Sequence, residues 1–490
     1  METLEFTLPV ISIQAFWPQI VLVATALFVL LVDVFKRKKK TALIGLISLA
    51  GAITAAACLL AARPPGGASS LSGMAFNDGF SFFINLTILL VLILTIMISL
   101  NYQKYFERIN CGEYYALVFF ATCGMTLMAA AGNLILMFVA LETMSVAIYV
   151  LAGFHKDKLR STESALKYFL LGAFASGFLL YGFALIFGAT GTLDIVKIGN
   201  LISSQPNILH SKLLIAGLAM MTVGFGFKIS MVPFHMWTPD VYEGAPTVIT
   251  GFMATAVKAA AFAALIRVIL VPLAALEGDW STIMWIAAFL TMTVGNIIAL
   301  AQDNIKRMLA YSSIAHAGYI LIGFVAGTGP AQAGMLFYLL AYAFMNIGAF
   351  GVVALLAQKE EEYDKVSDFA GLGFKYPLMG VAMAVFMFSL AGIPPTAGFM
   401  GKFYIFAEAI KAGYVWLVIF GAINSIISIY YYIRVVKVMY FEPSEGLVTI
   451  PSPSMSIVLA LAIASVAVLV MGLFPAHFLS FANSCVFTLM

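Results

Sequence analysis

The sequence predicts an all-α membrane protein with about fourteen transmembrane helices. Of its 490 residues, 62% are hydrophobic and only 10% are charged, whereas soluble domains carry roughly 25% charged residues. Apolar runs of about 20 residues recur along the chain, and a helix of that length crosses the hydrocarbon core. A transmembrane β-barrel would instead show short segments of alternating hydrophobicity.

Each long apolar run defines one predicted helix. The predicted spans are 11–35, 41–62, 79–100, 114–131, 133–153, 162–188, 210–232, 245–270, 281–301, 304–327, 331–357, 376–410, 413–440 and 455–480. The span 376–410 is too long for one straight helix and contains Pro394 and Pro395, which predict a break. A second break is predicted after Lys228, where Pro233 follows a long apolar run.

Basic residues in the loops predict how the chain is oriented. About 17 Lys and Arg residues, including the run 36–40, Lys306 and Arg307, are assigned to one alternate set of loops, against about four in the other set. The positive-inside rule places the richer set in the cytoplasm. Both termini then lie outside the cytoplasm. An even number of helices requires the two termini to share one side of the membrane, so the two inferences agree.

Ionisable side chains inside the predicted helices indicate a functional site, because they are costly in hydrocarbon and typically mark proton or ion paths. The candidates are Glu142, Lys228, Lys258, Lys402 and His316. We expect Glu142 and Lys228 to form a direct or water-bridged pair, since an unpaired buried carboxylate is expensive. His316 serves either as a relay, because neutral imidazole both donates and accepts, or as a packing residue hydrogen-bonded across the bundle.

The helix around His316 predicts the connection between two of the lysines. Ser312 and His316 are four residues apart and share one helix face, which Ser313 flanks. We expect this face to point into the bundle between Lys258 and Lys402, with no direct contact between the lysines. In the alternative interpretation, Ser312 and His316 only bond backbone carbonyls of a neighbouring helix.

Two further basic residues lie within predicted spans but closer to their ends. Lys167 sits about one turn from the predicted cytoplasmic end, and Arg267 lies near the outer end. Long basic side chains in such positions extend to the membrane surface. We expect this behaviour of Arg267, while for Lys167 a surface position and an internal role are equally compatible with the sequence.

An internal echo indicates that the chain has two similar halves. Glu142, Lys228 and a proline break precede a second set that consists of Lys306, Lys402 and another proline break. Broken helices at corresponding positions in two halves are typical of transporter sites.

The remaining composition excludes several classes of site. The four cysteines (Cys58, Cys111, Cys123 and Cys485) lie far apart, which favours neither a disulfide framework nor a metal or iron–sulfur site. The chain shows no phosphate-binding glycine loop and no soluble domain. We therefore expect no cofactor or metal bound by this chain, contact with the lipid bilayer, and no nucleic-acid partner.

Four stretches together resemble the antiporter-like membrane subunits of respiratory complex I. They are GFGFKISMVPFHMWTPDVYEGAPT from Gly224, ESALKYFLLGAFASGFLLYGFALIFGATGT from Glu163, DNIKRMLAYSSIAHAGYILIGF from Asp303 and LAGIPPTAGFMGKF from Leu390. The resemblance implies two inverted five-helix repeats, each with one broken helix. It implies an N-terminal three-helix segment (1–110), the two repeats (111–275 and 276–440) and a C-terminal helix (441–490).

The resemblance also implies roles for the candidate residues. A glutamate of the fifth helix, matching Glu142, would pair with a lysine of the seventh, matching Lys228. Lys258 would be the central lysine of the eighth helix, and Lys402 the lysine of the broken twelfth helix. Together these residues would form a proton relay.

The implied function is proton translocation in the membrane arm of NADH–quinone oxidoreductase, a translocase of the bacterial inner membrane. Electron transfer from NADH through FMN and iron–sulfur clusters to quinone would occur in other subunits. The partners would be other membrane subunits, including homologous antiporter-like ones. Two alternatives stay open: a subunit of a multisubunit cation/proton antiporter, and a scaffold subunit that pumps no protons.

Overall fold

The computed structural model describes residues 13–35, 41–62, 68–70, 73–102, 111–209, 211–356, 363–443 and 453–486. Within these ranges, thirteen helices are long and apolar enough to cross a membrane. Two shorter helices supply the broken span predicted at 376–410, so the prediction of about fourteen transmembrane helices is confirmed. The basic run 36–40 and both chain termini lie outside the described residues, and the predicted orientation stays a prediction.

The first half of the chain begins with six long helices. They are α1 (Ile13–Phe35), α2 (Thr41–Ala61), α3 (Gly79–Tyr102), α4 (Gly112–Ala130), α5 (Leu134–Ala152) and α6 (Leu159–Thr190). Two short antiparallel strands, β1 (Ala68–Ser70) and β2 (Ala75–Asn77), lie between α2 and α3. The half continues with α7 (Ile195–Ser204), α8 (Lys212–Ile229), α9 (Trp237–Gly244) and α10 (Thr247–Leu270).

The second half repeats the order seen from α4 to α10, in which three long helices precede a broken helix and a further long helix. It contains α11 (Ala274–Leu300), α12 (Ile305–Ala326), α13 (Gly329–Leu356), α14 (Pro377–Ala391), α15 (Ala397–Lys411) and α16 (Val415–Phe441). The chain ends with α17 (Met455–Leu473) and α18 (Pro475–Val486). The single C-terminal helix predicted at 455–480 is therefore wrong, because Pro475 cannot continue the hydrogen-bond ladder and begins a new helix.

The two breaks correspond to each other residue by residue. Ser230 (φ 63°) and Gly392 (φ 83°) both adopt the left-handed conformation that ends a helix. Pro233 and Pro395 follow at the same spacing, so both pairs are 162 residues apart (392 − 230 = 395 − 233 = 162). With this spacing, Asp240 in the first half occupies the position equivalent to Lys402 in the second half (402 − 240 = 162). The predicted equivalence of Lys228 and Lys402 is therefore wrong, because Lys228 precedes the first break whereas Lys402 follows the second break.

The first turns of α5 and α12 also correspond. Asn133 and Asn304 each cap the helix with the side-chain oxygen, and each forms a bridge with a residue 61 positions later (194 − 133 = 365 − 304 = 61). Glu142 and Ser313 each lie nine residues after their cap, so they occupy equivalent positions in the two halves. The counterpart of Glu142 is therefore a serine, rather than Lys306 as the echo suggested.

A buried ion pair fastens the start of α3 to α10. Arg267 on α10 donates from Nη1 and Nη2 to the two carboxylate oxygens of Asp78 at 3.0 Å each, and from Nε to the carbonyl of Ala129 at 3.0 Å. The rings of Phe76 and Phe80 lie 5.2 and 5.1 Å from the guanidinium carbon. The expectation that Arg267 extends to the membrane surface is wrong, because these partners satisfy its charge inside the protein.

The charge state of Asp78 keeps this pair intact at neutral pH. Burial tends to raise the pKa of Asp78, but the Arg267 charge and hydrogen bonds from Arg267 and Ser81 outweigh burial and hold the pKa below its ordinary value. The carboxyl is therefore ionised at neutral pH, and its stabilising contribution is lost only as the pH falls through the lowered pKa.

We expect Arg267→Met to lower the free energy of unfolding by about 3–5 kcal/mol, because it leaves the Asp78 carboxylate buried without a partner. The measurement is the midpoint of heat-induced aggregation of the purified protein. Arg160→Met is the control, since the Arg160 side chain is 76% exposed in its pair with Glu243 and such pairs contribute about 0–1 kcal/mol. Equal losses in both variants would contradict the assignment.

Candidate functional site

Lys228 is buried at the end of α8 and points toward α5. Its Nζ donates to Ser145 Oγ at 2.7 Å and to Tyr149 Oη at 3.3 Å. The rings of Tyr149 and Tyr168 lie 5.2 and 5.6 Å from the same nitrogen. The lysine is therefore solvated by hydroxyls and aromatic faces, which are the partners that a membrane interior provides for a cation.

Glu142 is half-buried on α5 and is bound by α6 rather than by Lys228. It accepts a hydrogen bond from Ser176 Oγ at 2.5 Å. Among the described residues, Glu142 and Lys228 form no ion pair, so the direct form of the predicted contact is absent. Lys228 instead reaches Ser145, three residues after Glu142 and hence adjacent on the α5 surface. The water-bridged form of the contact stays a prediction.

Lys258 is buried on α10 and crosses to the second half of the protein. Its Nζ donates to the backbone carbonyl and to the hydroxyl of Ser313 on α12, at 2.5 Å each. A π-helical turn, Met253–Val257, immediately precedes the lysine, and such turns are frequent at functional sites. Lys258 thus contacts the residue that occupies the position of Glu142 in the second half.

His316 lies in the bundle interior, as the sequence predicts for the face it shares with Ser312. Its Nδ1 lies 2.6 Å from Tyr338 Oη on α13, and its Nε2 lies 3.0 Å from Tyr432 Oη on α16. Tyr432 Oη is also hydrogen-bonded to Ser312 Oγ. In the alternative interpretation these side chains would only bond backbone carbonyls. The observed partners are tyrosine hydroxyls, each of which can both donate and accept.

Lys402 caps the break that precedes it. From α15, its Nζ donates to the carbonyls of Leu390 and Ala391 at 3.2 Å each, and these are the last carbonyls of α14. It also donates to Ser425 Oγ at 3.0 Å, and the Tyr319 ring lies 4.6 Å away. A lysine at this position stabilises the unpaired carbonyls and the negative end of the helix dipole.

Sequence reasoning missed the hydroxyl side chains that surround the candidate residues. They are Ser145, Tyr149, Ser176, Tyr338, Ser425 and Tyr432. Each lies on a helix other than that of the charged residue or histidine it contacts, and tyrosine and serine are frequent throughout the chain. One available signal is the spacing of Ser425, Ser428 and Tyr432, which lie three and four residues apart on one helix face.

A second group of charges joins the two halves at one end of the bundle. Asp240 on α9 binds Lys167 at 2.9 Å and Arg307 at 2.8 Å, and Arg307 also binds Glu243 at 2.8 Å. The Lys167 side chain is 42% exposed, so it reaches the surface position that the sequence left open. We refer to these four side chains as the ionic cluster.

Lys306 is wholly buried next to this cluster, which corrects its assignment to a loop. Its Nζ donates to the carbonyl of Ala245 at 3.0 Å and lies 3.9 Å from Asp364. Lys306 therefore holds the junction of α9 and α10 to the first turn of α12. The described part of the chain shows no cluster of His, Cys, Asp and Glu suited to a metal ion.

Comparisons with known proteins match this arrangement. Residues 131–428 match the sequence model of a family described as NADH:quinone oxidoreductase/Mrp antiporter, TM. The chain belongs to this family. A relative from Trichlorobacter lovleyi, named NADH-quinone oxidoreductase subunit N, is 49% identical over 478 residues, which cover 97% of each chain. These matches agree with the resemblance carried by the four stretches quoted above.

Two solved structures have a similar fold. A chain of respiratory complex I from Thermus thermophilus is 36% identical, with a TM-score of 0.81 over 94% of this chain and 98% of that one. A chain of the Mrp complex from Dietzia sp. DQ12-45-1b is 19% identical, with a TM-score of 0.82 over 97% of each chain. At that identity the second likeness shows the fold alone.

We expect Gly398→Ala to destabilise the second break by about 1–3 kcal/mol, because an added methyl group overpacks the site. A Cβ at Gly398 would collide with the backbone oxygen of Ser389. Gly177→Ala is the matched control, since a Cβ there meets nothing within 4 Å. Thermal stability of the two purified variants is compared, and equal stability would contradict the close approach at Gly398.

Proposed function

We propose that this chain is a membrane subunit of NADH–quinone oxidoreductase that translocates protons, while other subunits transfer electrons from NADH to quinone. The observation that carries the proposal is the series of three buried lysines held by hydroxyls and carbonyls. Each ionised lysine costs about 2.5–3.5 kcal/mol even on the milder membrane-insertion scale. A chain that retains three of them, in a family of this kind, uses them to bind and release protons.

Lys228 is the residue proposed to load a proton under the control of Glu142. A low-dielectric site favours the neutral form of an amine, whereas a nearby carboxylate favours the charged form. Ser145 and Glu142 lie three residues apart on α5, so the flexible lysine side chain can exchange one for the other. Approach to Glu142 then favours proton uptake, and return to Ser145 favours release.

Lys258 and Lys402 are proposed to exchange protons through the hydroxyl network of α12 and α16. Lys258 contacts Ser313, and the adjacent Ser312 shares Tyr432 with His316. Hydroxyls and a neutral imidazole each donate and accept, which proton transfer along a hydrogen-bonded chain requires. Lys402 would receive the proton near the exit, with ordered water completing the path.

The partners proposed for the chain follow from its relatives. It assembles with other membrane subunits of complex I, including homologous antiporter-like subunits, in the bacterial inner membrane. FMN, the iron–sulfur clusters and the quinone belong to other subunits of that complex, whose translocase activity this chain serves. The alternative of a cation/proton antiporter subunit is disfavoured, because the 49%-identical relative is named for NADH–quinone oxidoreductase whereas the Mrp chain is only 19% identical.

We expect Lys228→Ala to lower the number of protons pumped per NADH oxidised, because the loading site is lost. The measurement compares proton uptake with NADH oxidation in membrane vesicles that contain the assembled complex. Lys411→Ala is the control, since the Lys411 side chain is 70% exposed beside Glu408. A Lys228→Ala complex with normal stoichiometry would favour the scaffold interpretation.

We expect His316→Ala and Tyr432→Phe to slow proton pumping more than they slow NADH oxidation measured with an uncoupler. Each change interrupts the network between Lys258 and Lys402 while it keeps both lysines. Tyr404→Phe serves as the matched control, because Tyr404 lies outside this network and packs against Phe337 and Phe403. Unchanged pumping in assembled His316→Ala and Tyr432→Phe complexes would leave these side chains with a packing role.

A further inference from the structure

One face of α16 is a continuous exposed stripe of large apolar side chains. The stripe consists of Trp416, Ile419, Ile423, Ile426, Tyr430 and Ile433, which are 40–69% exposed. Their spacing of three and four residues keeps them on one side of the helix. The next residue on the same face, one turn beyond Ile433, is Lys437.

The composition of this stripe fits lipid rather than another transmembrane helix. Helix–helix interfaces in membranes are enriched in small residues that let backbones approach, and in polar side chains that bond across the interface. The buried face of α16 has that composition, with Gly421, Asn424 and Ser428. The exposed stripe contains neither small residues nor charges before Lys437, so its side chains suit contact with acyl chains.

A cavity of about 470 Å³ with both apolar and polar lining residues lies at the end of the stripe. Tyr430 and Ile433 line it on the stripe side, and Ser367, Arg434, Lys437 and Glu442 supply its polar groups. Arg434 is bound to Asp303 at 2.5 Å, whereas Lys437 forms no ion pair with any described residue. The cavity is thus lined by the Lys437 ammonium group and the Glu442 carboxylate, which form no ion pair with each other, at the edge of an apolar surface.

We propose that this cavity binds the headgroup of an aminophospholipid, with its acyl chains along the α16 stripe. The phosphate accepts hydrogen bonds from Lys437 and the Ser367 hydroxyl, and the lipid ammonium donates to Glu442. Basic pockets between transmembrane helices bind phospholipid headgroups. Because the cavity carries both signs of charge, it fits phosphatidylethanolamine better than phosphatidylglycerol, which has no ammonium group to pair with Glu442.

The test measures the phosphatidylethanolamine and phosphatidylglycerol that remain bound to the purified complex after detergent exchange, by mass spectrometry. We expect Lys437→Gln to weaken binding of both lipids about fivefold, the equivalent of ~1 kcal/mol for one basic residue near a lipid surface. We expect Glu442→Gln to weaken binding of phosphatidylethanolamine alone. Lys156→Gln is the matched control, because Lys156 is an exposed lysine in the turn between α5 and α6.

A second measurement distinguishes lipid from a protein partner on the same face. A photoreactive benzoylphenylalanine placed at Ile426 in the assembled complex should cross-link to phospholipid. Cross-linking to another subunit would overturn the proposal, as would wild-type lipid retention in both Lys437→Gln and Glu442→Gln. Loss of both lipids in Glu442→Gln would overturn the preference for an aminophospholipid.

Discussion

Hydrocarbon provides no hydrogen-bond partners, so each broken helix must satisfy its free backbone groups within the protein. The two breaks do so with different side chains. At the first break, Thr291 Oγ1 accepts from the Val232 amide at 3.0 Å, and Trp237 Nε1 donates to the Phe227 carbonyl at 2.9 Å. At the second break, Lys402 itself caps the free carbonyls.

Because of this difference, the two lysines next to the breaks have different hydrogen-bond partners. At the first break Trp237, rather than Lys228, donates to the free Phe227 carbonyl, and the Lys228 ammonium group contacts α5. Lys402 is tied to the end of α14, so a displacement of α14 relative to α15 changes its hydrogen bonds directly. A movement at the first break therefore changes the contacts between Lys228 and α5. A movement at the second break changes the hydrogen bonds of Lys402 to α14.

Helix α12 connects these two environments. Its first turn holds the first half through Lys306 and Arg307, which contact the Ala245 carbonyl and the acidic residues of α9. Its middle carries Ser313, the partner of Lys258, and one turn later it carries His316. Because a helix transmits displacement along its axis, a change in the ionic cluster acts on the same element that supports the candidate relay.

The sequence alone determined the membrane class, the approximate bounds of nearly every helix and the positions of both breaks. Hydrophobic length and proline chemistry act locally along the chain, so they can be read without the fold. The buried positions of Lys228, Lys258, Lys402 and His316 followed for the same reason, since each lies within an apolar run.

Only the tertiary structure decided which side chains meet. Arg267 has the sequence position of a residue that reaches the membrane surface, yet Asp78, 189 residues away, holds it inside the protein. Lys306 has the position of a loop charge, yet it is buried against the Ala245 carbonyl. A direct or water-bridged contact was expected between Glu142 and Lys228, yet the direct partners are Ser176 for Glu142 and Ser145 for Lys228. Hydrogen bonds and ion pairs act over about 3–4 Å in space, and separation along the chain does not encode those distances.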